Sequence, residues 1–132
     1  MWEDVGVMRD ADGLQRGLQR IDEIDDALSS TGVAADNLAF NLSWHDWLNL
    51  RSLVDMSRVI AQSALSRENS RGAHFREDHP DAGAMQDSYF TLATGSDKNI
   101  SVARAPVQFT IVKPGETLLG ADEAETLVGA AE

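Results

Sequence analysis

Ser70-Arg71-Gly72-Ala73-His74-Phe75-Arg76-Glu77-Asp78-His79-Pro80-Asp81 packs two arginines, three carboxylates and two histidines into one short stretch, punctuated by Gly72 and Pro80. It follows the longest helical pattern in the chain, residues 42–66, and precedes a region rich in strand formers. Its reading decides the fold. As an active site it would need scaffold on both sides. As a connector it would end one helical unit and lead into extended chain.

Immediately upstream, residues 42–66 contain neither proline nor glycine. Trp44, Trp47, Leu48, Leu50, Leu53, Val54, Met56, Val59, Ile60, Ala61, Ala64 and Leu65 cover more than one stripe of that helix. A helix apolar on several sides is expected to be central, with neighbours on at least two of them. The tryptophans read as core anchors. Arg51, Asp55 and Arg58 form a polar edge, where Asp55 reaches both arginines at helical spacing, worth a few tenths of a kcal/mol each, roughly.

Further upstream, Leu14, Leu18, Ile21, Ile24 and Leu28 recur at spacings of 4, 3, 3 and 4. That is a single apolar stripe on a helix over residues 11–29. Asp12 is placed to cap it, with Gln15 three residues on as an approximate capping box. Gly17 lies beside the stripe and suits close approach of another helix, and residues 29–32 end the element. Residues 33–40 are a connection. Residues 1–8, with Trp2, Val5, Val7 and Met8, read as the last turn of a helix whose beginning is absent, as in a piece cut from a longer chain.

Downstream, residues 88–94 and 100–104 favour strands around the turn chemistry of residues 95–99, which predicts a β-hairpin. Residues 107–112 alternate again, as a third strand or an extended tail. A lone hairpin is marginal and must lean on the helices or on another domain. Residues 118–132 show no sustained periodicity and are expected to fray. The resulting division is a helical unit over 1–87 with its connector at 67–81, a hairpin and extended segment over 88–115, and a flexible tail over 116–132.

Bulk properties narrow the function. The chain has 132 residues, 42% hydrophobic and 25% charged, which suits one soluble domain with a modest core. No apolar run approaches the roughly 20 residues of a membrane span, and the acidic Met1-Trp2-Glu3-Asp4 start is no signal peptide. With no cysteine, disulfides, cysteine-ligated clusters and thiol catalysis are excluded. A net charge of -11 argues against nucleic acid. The acidic clusters at residues 22–26 and at Asp122, Glu123 and Glu125 lack the alternating oxygens and glycine turn of a calcium loop.

Local chemistry in the opening stretch narrows it again. His74, His79, Asp78 and Asp81 match neither the zinc-protease interval nor a finger pattern. Ser70, His74 and Asp78 are all local, without the strained elbow of a nucleophilic serine. No strand, glycine loop and helix occur in the order a nucleotide site requires. Arg67, Arg71 and Arg76 remain. Their forks suit carboxylates, with Glu68, Glu77 and Asp78 nearby. A self-contained salt-bridge cluster and a charged docking surface both stay open.

Residues 1–92, and above all Ser-Arg-Gly-Ala-His-Phe-Arg-Glu-Asp-His-Pro, resemble the C-terminal domain of the succinate dehydrogenase/fumarate reductase flavoprotein family, which includes L-aspartate oxidase and, more distantly, adenylylsulfate reductase. Ser70, Arg71, Gly72, Ala73, His74, Arg76, Asp78 and Pro80 match its motif. Glu68 and Asn69 depart from its Thr-Glu, and His79 stands where an aromatic residue is usual.

The resemblance implies a mainly α fold: a spectrin-repeat-like three-helix bundle, its first helix largely missing, followed by a C-terminal hairpin or extended segment. It implies upstream FAD-binding and capping domains, an iron–sulfur subunit as a further partner, and hydride chemistry on a dicarboxylate or on aspartate. FAD belongs to the parent, and this chain carries no cofactor, metal or catalytic residue of its own. The implied location is the cytoplasm or the cytoplasmic face of a membrane, held there by partner subunits without membrane insertion. On this reading Arg67, Ser70, Arg71, His74, Arg76 and Asp78 form an interdomain docking set, and Asn69 removes a carboxylate expected beside Arg71. The rival reading is a stand-alone acidic interaction module that covers its apolar stripe by homo-oligomerisation.

Overall fold

The computed structural model describes residues 1–34, 37, 39–96 and 98–117. The tail over 118–132 and Asp97 of the hairpin turn lie outside the described residues. The elements, in order, are α1 (Trp2–Val5), β1 (Met8–Arg9), α2 (Ala11–Thr31), α3 (Leu42–Ser66), β2 (Phe75–Arg76), a 3₁₀ turn (Met85–Asp87), β3 (Tyr89–Ser96) and β4 (Asn99–Pro106). The fold is mostly helical, with a C-terminal antiparallel strand pair.

Asp10, not Asp12, caps α2. Asp10 has extended backbone, and its Oδ1 accepts the Gly13 N–H at 2.6 Å. Asp12 already lies in the first turn, where a negative charge suits the helix dipole. The Ser30 and Thr31 hydroxyls both donate to the Ala27 carbonyl. The helix runs to Thr31, and Gly32 then returns its N–H to the Leu28 carbonyl. Leu14 and Ile21 of the expected stripe are buried, with Leu18 and Leu28 packed beside them. Ile24 is the exception and is exposed.

α1 closes on α2 at the glycine position anticipated. A Cβ on Gly17 would stand 2.8 Å from Val5 Cγ2 and 3.3 Å from the Asp4 Cβ. Asp4 is buried in that contact and accepts from Arg20 at 2.7 Å, with Arg16 at 3.5 Å.

α3 packs antiparallel on α2. Trp47 Nε1 donates to the Leu28 carbonyl at 3.3 Å, and Arg58 reaches Asp25 and Asp22, each at 2.9 Å. Val54, Ala61 and Ala64 join Val5, Leu14 and Ile21 in a small core. The hairpin packs on α3 near its C-terminal end, where Arg104 reaches the Ser66 carbonyl and Thr91 lies beside Val59 and Ile60. The tryptophans are not core anchors. Trp44 is 43% exposed, and Trp47 meets it edge-to-face at 6.0 Å between centroids. No described element covers that end of the helix pair.

β3 and β4 pair from Tyr89↔Pro106 to Ser96↔Asn99. Gly95, at φ 126, crosses close over the Asn99 carbonyl, where a side chain has no room. Beyond the Val107 N–H bond to the Ser88 carbonyl, residues 107–117 form no strand. The hairpin leans on the helices: Arg104 donates to the Ser66 carbonyl at 2.9 Å, and Lys98 meets Asp26 at 2.7 Å. A second, unanticipated pairing is parallel, Met8↔Phe75 and Arg9↔Arg76, and stitches the N-terminal turn to the 67–81 segment.

Candidate functional site

α3 ends at Ser66, and its last carbonyls need donors. Arg76 supplies them. Its Nη1 donates to the carbonyls of Ala64 (3.0 Å), Leu65 (3.0 Å) and Arg67 (3.3 Å). Its Nε and Nη2 form a fork on the two oxygens of Asp78, each at 2.7 Å. The side chain is only 2% exposed. Asp78 Oδ2 also accepts the first N–H of α2, from Ala11, at 3.0 Å. One ion pair therefore ties the end of α3 to the start of α2. The hydrogen bonds from Arg76 hold the Asp78 carboxyl far below the usual carboxylate range, and the same pair raises the Arg76 pKa.

Ser70 is buried and braces the loop. Its Oγ accepts the Arg76 N–H at 2.8 Å and donates to the His79 carbonyl at 2.8 Å. The Ser70 N–H reaches the Asp81 carbonyl at 2.9 Å. Arg71 and His74 bond across a tight turn through their backbones at 2.9 and 3.1 Å, with Gly72 at φ 57 supplying the left-handed position. Arg71 Nε donates to the Ala82 carbonyl, Nη2 to the Ala84 carbonyl at 2.7 Å, and Nη1 to Ser88 Oγ at 2.7 Å. It thereby folds residues 82–88 back beside the turn.

His74 places Nε2 3.2 Å from the Arg67 carbonyl. Burial pushes its pKa down, and the nearby Arg9, Arg67 and Arg76 charges push the same way. The neutral ring then donates from Nε2. Burial and the Arg76 charge likewise lower the pKa of Arg9.

Arg67 stacks on the Tyr89 ring at 4.8 Å, with Arg104 on the same ring at 4.9 Å. Arg67 Nε donates to Asn69 Oδ1 at 3.1 Å. Asn69 thus stands beside Arg67, and the carboxylate expected beside Arg71 is not replaced there by its amide. Of the other partners anticipated for the arginines, only Asp78 is used. Glu68 lies 3.6 Å from Arg104, and Glu77 contributes its N–H to the Arg9 carbonyl. Among the described residues, Arg67 and Arg71 have no carboxylate within ion-pair reach.

Sequence reasoning placed the segment correctly as a helix stop but missed what it stops against. Arg58 and Asp25 are buried between the helices, with Asp22 half-exposed at the edge of the pair. Burial opposes the Arg58 charge, yet its two carboxylate hydrogen bonds outweigh that and raise its pKa. The signal was present as two acids three apart on the apolar side of α2. Among the described residues no three His, Asp or Glu side chains come together to hold a metal. Ser70 does not bond His74, so the local serine, histidine and aspartate form no relay.

The family described as fumarate reductase flavoprotein C-term matches residues 1–118. A fumarate reductase flavoprotein subunit of Mycobacterium tuberculosis is 31% identical over 119 residues, covering 87% of this chain and 20% of its own length. L-aspartate oxidase 1 of Ralstonia nicotianae is 42% identical over 80 residues, covering 61% of this chain and 14% of that enzyme. The quinol fumarate reductase of E. coli superposes with a TM-score of 0.77 at 23% identity, over 88% of this chain and 20% of that one, a likeness of fold. The chain thus spans only a fifth or less of the length of these proteins.

Proposed function

Because this chain belongs to the family of fumarate reductase flavoprotein C-terminal domains, we propose that it packs against the FAD-binding body of a flavoprotein oxidoreductase and is not itself the seat of catalysis. FAD and its hydride chemistry, on a dicarboxylate or on aspartate, lie in upstream FAD-binding and capping domains. An iron–sulfur subunit is a further partner, at the cytoplasmic face of a membrane or in the cytoplasm. No helix described is long and apolar enough to cross a membrane. The rival, a stand-alone oligomerising module, is not favoured by a match that runs over residues 1–118.

The observation that carries docking is the bare side of α3. Leu53, Met56 and Ile60 recur at spacings of 3 and 4, and are 62%, 57% and 45% exposed. A contiguous apolar stripe of this kind marks an interaction surface. The 67–81 segment borders it. Arg67, Arg71 and His74 line the adjoining groove, while Ser70, Arg76 and Asp78 hold the segment in shape. In this reading residues 1–87 are the docking unit and residues 88–115 its brace.

The same reading completes a spectrin-repeat-like bundle. The face of α2 that α1 covers at Gly13 and Gly17 continues through Ile24, Ala27 and Thr31. Those three residues line an open groove with Trp47 and Leu50. A first helix ending at Val5 would lie along it.

Mixing this chain with the separately expressed FAD-binding portion of its polypeptide tests the proposal by sedimentation. A one-to-one complex is expected, weakened at least about tenfold by Met56→Asp. No complex, or self-association of the chain that Met56→Asp abolishes, would favour the stand-alone module.

A further inference from the structure

Between the last turns of α3 and β3 lies an open groove lined by Val59, Ile60, Arg67, Arg71, His74 and Thr91. Its charge is unusual for this protein. The chain carries a net charge of -11, and most of its cations sit against carboxylates: Arg16 and Arg20 on Asp4, Arg58 on Asp22 and Asp25, Arg76 on Asp78, Lys98 on Asp26, Arg104 on Glu68. Among the described residues Arg67 and Arg71 do not; Arg9 and Lys113 also lack a carboxylate but line no part of this groove. The hydrogen-bond partners of the groove's two arginines are neutral: an amide oxygen and a hydroxyl for Arg67, two carbonyls and a hydroxyl for Arg71.

A guanidinium has five N–H donors in a planar fork. These bonds leave N–H groups on both residues over, in a groove with an apolar wall at Val59 and Ile60. Burial lowers the His74 pKa against the opposing bond to the Arg67 carbonyl, and the Arg9, Arg67 and Arg76 charges act in the same direction as burial. Arg67 and Arg71 are the two guanidinium charges that line the groove.

We infer that this groove receives a carboxylate side chain, Asp or Glu, carried on an otherwise apolar segment of the FAD-binding portion. The carboxylate would bridge Arg67 and Arg71, and its apolar neighbours would continue onto Ile60 and the bare stripe of α3. This rests on the docking reading above and adds the chemistry of the contact. Forked arginine–carboxylate pairs at an interface fix register as well as adding affinity. The partner is thereby chosen by charge at one end of the stripe and by apolar fit along the rest.

The test uses the complex of this chain with the FAD-binding portion. Arg71→Lys places an amine where a carbodiimide can join it to a touching carboxylate, and mass spectrometry locates the bond. A cross-link from position 71 to an Asp or Glu of the FAD-binding portion is expected. Arg67→Gln, which leaves the loop contacts of Arg71 intact, should weaken the complex at least about tenfold and flatten its salt dependence. Arg104→Gln, outside the groove, should do neither. A complex that forms with no cross-link at position 71 and is indifferent to Arg67→Gln overturns the inference but leaves docking standing. A cross-link to a second copy of this chain also overturns it. Failure of the complex to form removes the docking reading itself.

Discussion

The two halves of α3 live in different surroundings. From Val54 to Ser66 the helix buries Val54, Arg58, Ala61 and Ala64 and has its last carbonyls closed by Arg76. From Leu42 to Leu53 no residue is buried, and Leu42, Trp44, Leu48, Leu50 and Leu53 are all exposed. Propensity does not separate them, since both halves are proline-free, glycine-free and rich in leucine or alanine. The difference lies in what meets them. The closed half is met by α2, the hairpin and the 67–81 segment. The open half is met by α2, through Trp47 at the Leu28 carbonyl and Arg51 at Ser29. Stability is therefore concentrated at one end of the domain, and exposed apolar surface runs along the other end and down the outer side of α3 through Met56 and Ile60.

Perturbing the closed end should matter most. Arg76→Met removes the donor of three helix-end carbonyls and leaves Asp78 without its partner. Losing the donors of buried carbonyls costs about 1–3 kcal/mol, a large share of the stability of a small domain, while Asp78, partly exposed, keeps the Ala11 N–H. Urea unfolding should show that loss in the midpoint, and a midpoint unchanged by the substitution would dissolve the contrast between the two ends.

Next comes Gly17→Ala, where the new methyl meets Val5. Overpacking of this kind costs about 1–3 kcal/mol, readable as a lowered melting temperature. The released α1 should also leave Arg16 and Arg20 without Asp4.

Acid sharpens the same comparison. The folded-state pKa of Asp78 is depressed, so its contribution is fully present above the ordinary carboxylate pKa of about 3.9. It is lost as the pH falls from there toward the folded value. Asp78→Asn should lower stability at neutral pH and remove part of the acid-dependent loss. An unaltered slope of stability against pH in that variant would take Asp78 out of the clamp. At the open end Trp44→Ala should change the stability of the isolated chain by less than about 0.5 kcal/mol, because its side chain is exposed and lies outside the buried core.

Much of the closed end was legible in the sequence. The stripe from Leu14 to Leu28, the glycine at 17, the stop after Ser66 and the hairpin around Gly95 follow from spacing and turn chemistry. The N-cap of α2 was placed two residues late, at Asp12, because residue type alone does not show which aspartate has the extended backbone of a cap, and Asp10 has it. The core role assigned to Trp44 and Trp47 failed because apolarity marks what needs covering, not whether the cover lies in the same chain. The parallel bridge of Met8 and Arg9 with Phe75 and Arg76 joins segments far apart in sequence and too short to alternate. In the 67–81 segment the residue types pointed to arginine–carboxylate pairing. Which arginine takes Asp78, and which two stay without a carboxylate, depended on how Gly72 turns the chain.

The most direct test of docking reads the side chains on the two halves of α3. Hydroxyl-radical footprinting measures the oxidation of Met56 and Trp44 with and without the FAD-binding portion. Expected is a several-fold fall in Met56 oxidation on complex formation, with Met85, also exposed but off the stripe, as the internal reference. Equal oxidation of Met56 in the free and mixed samples, at concentrations where sedimentation shows a complex, would contradict a partner seated on the bare side of α3.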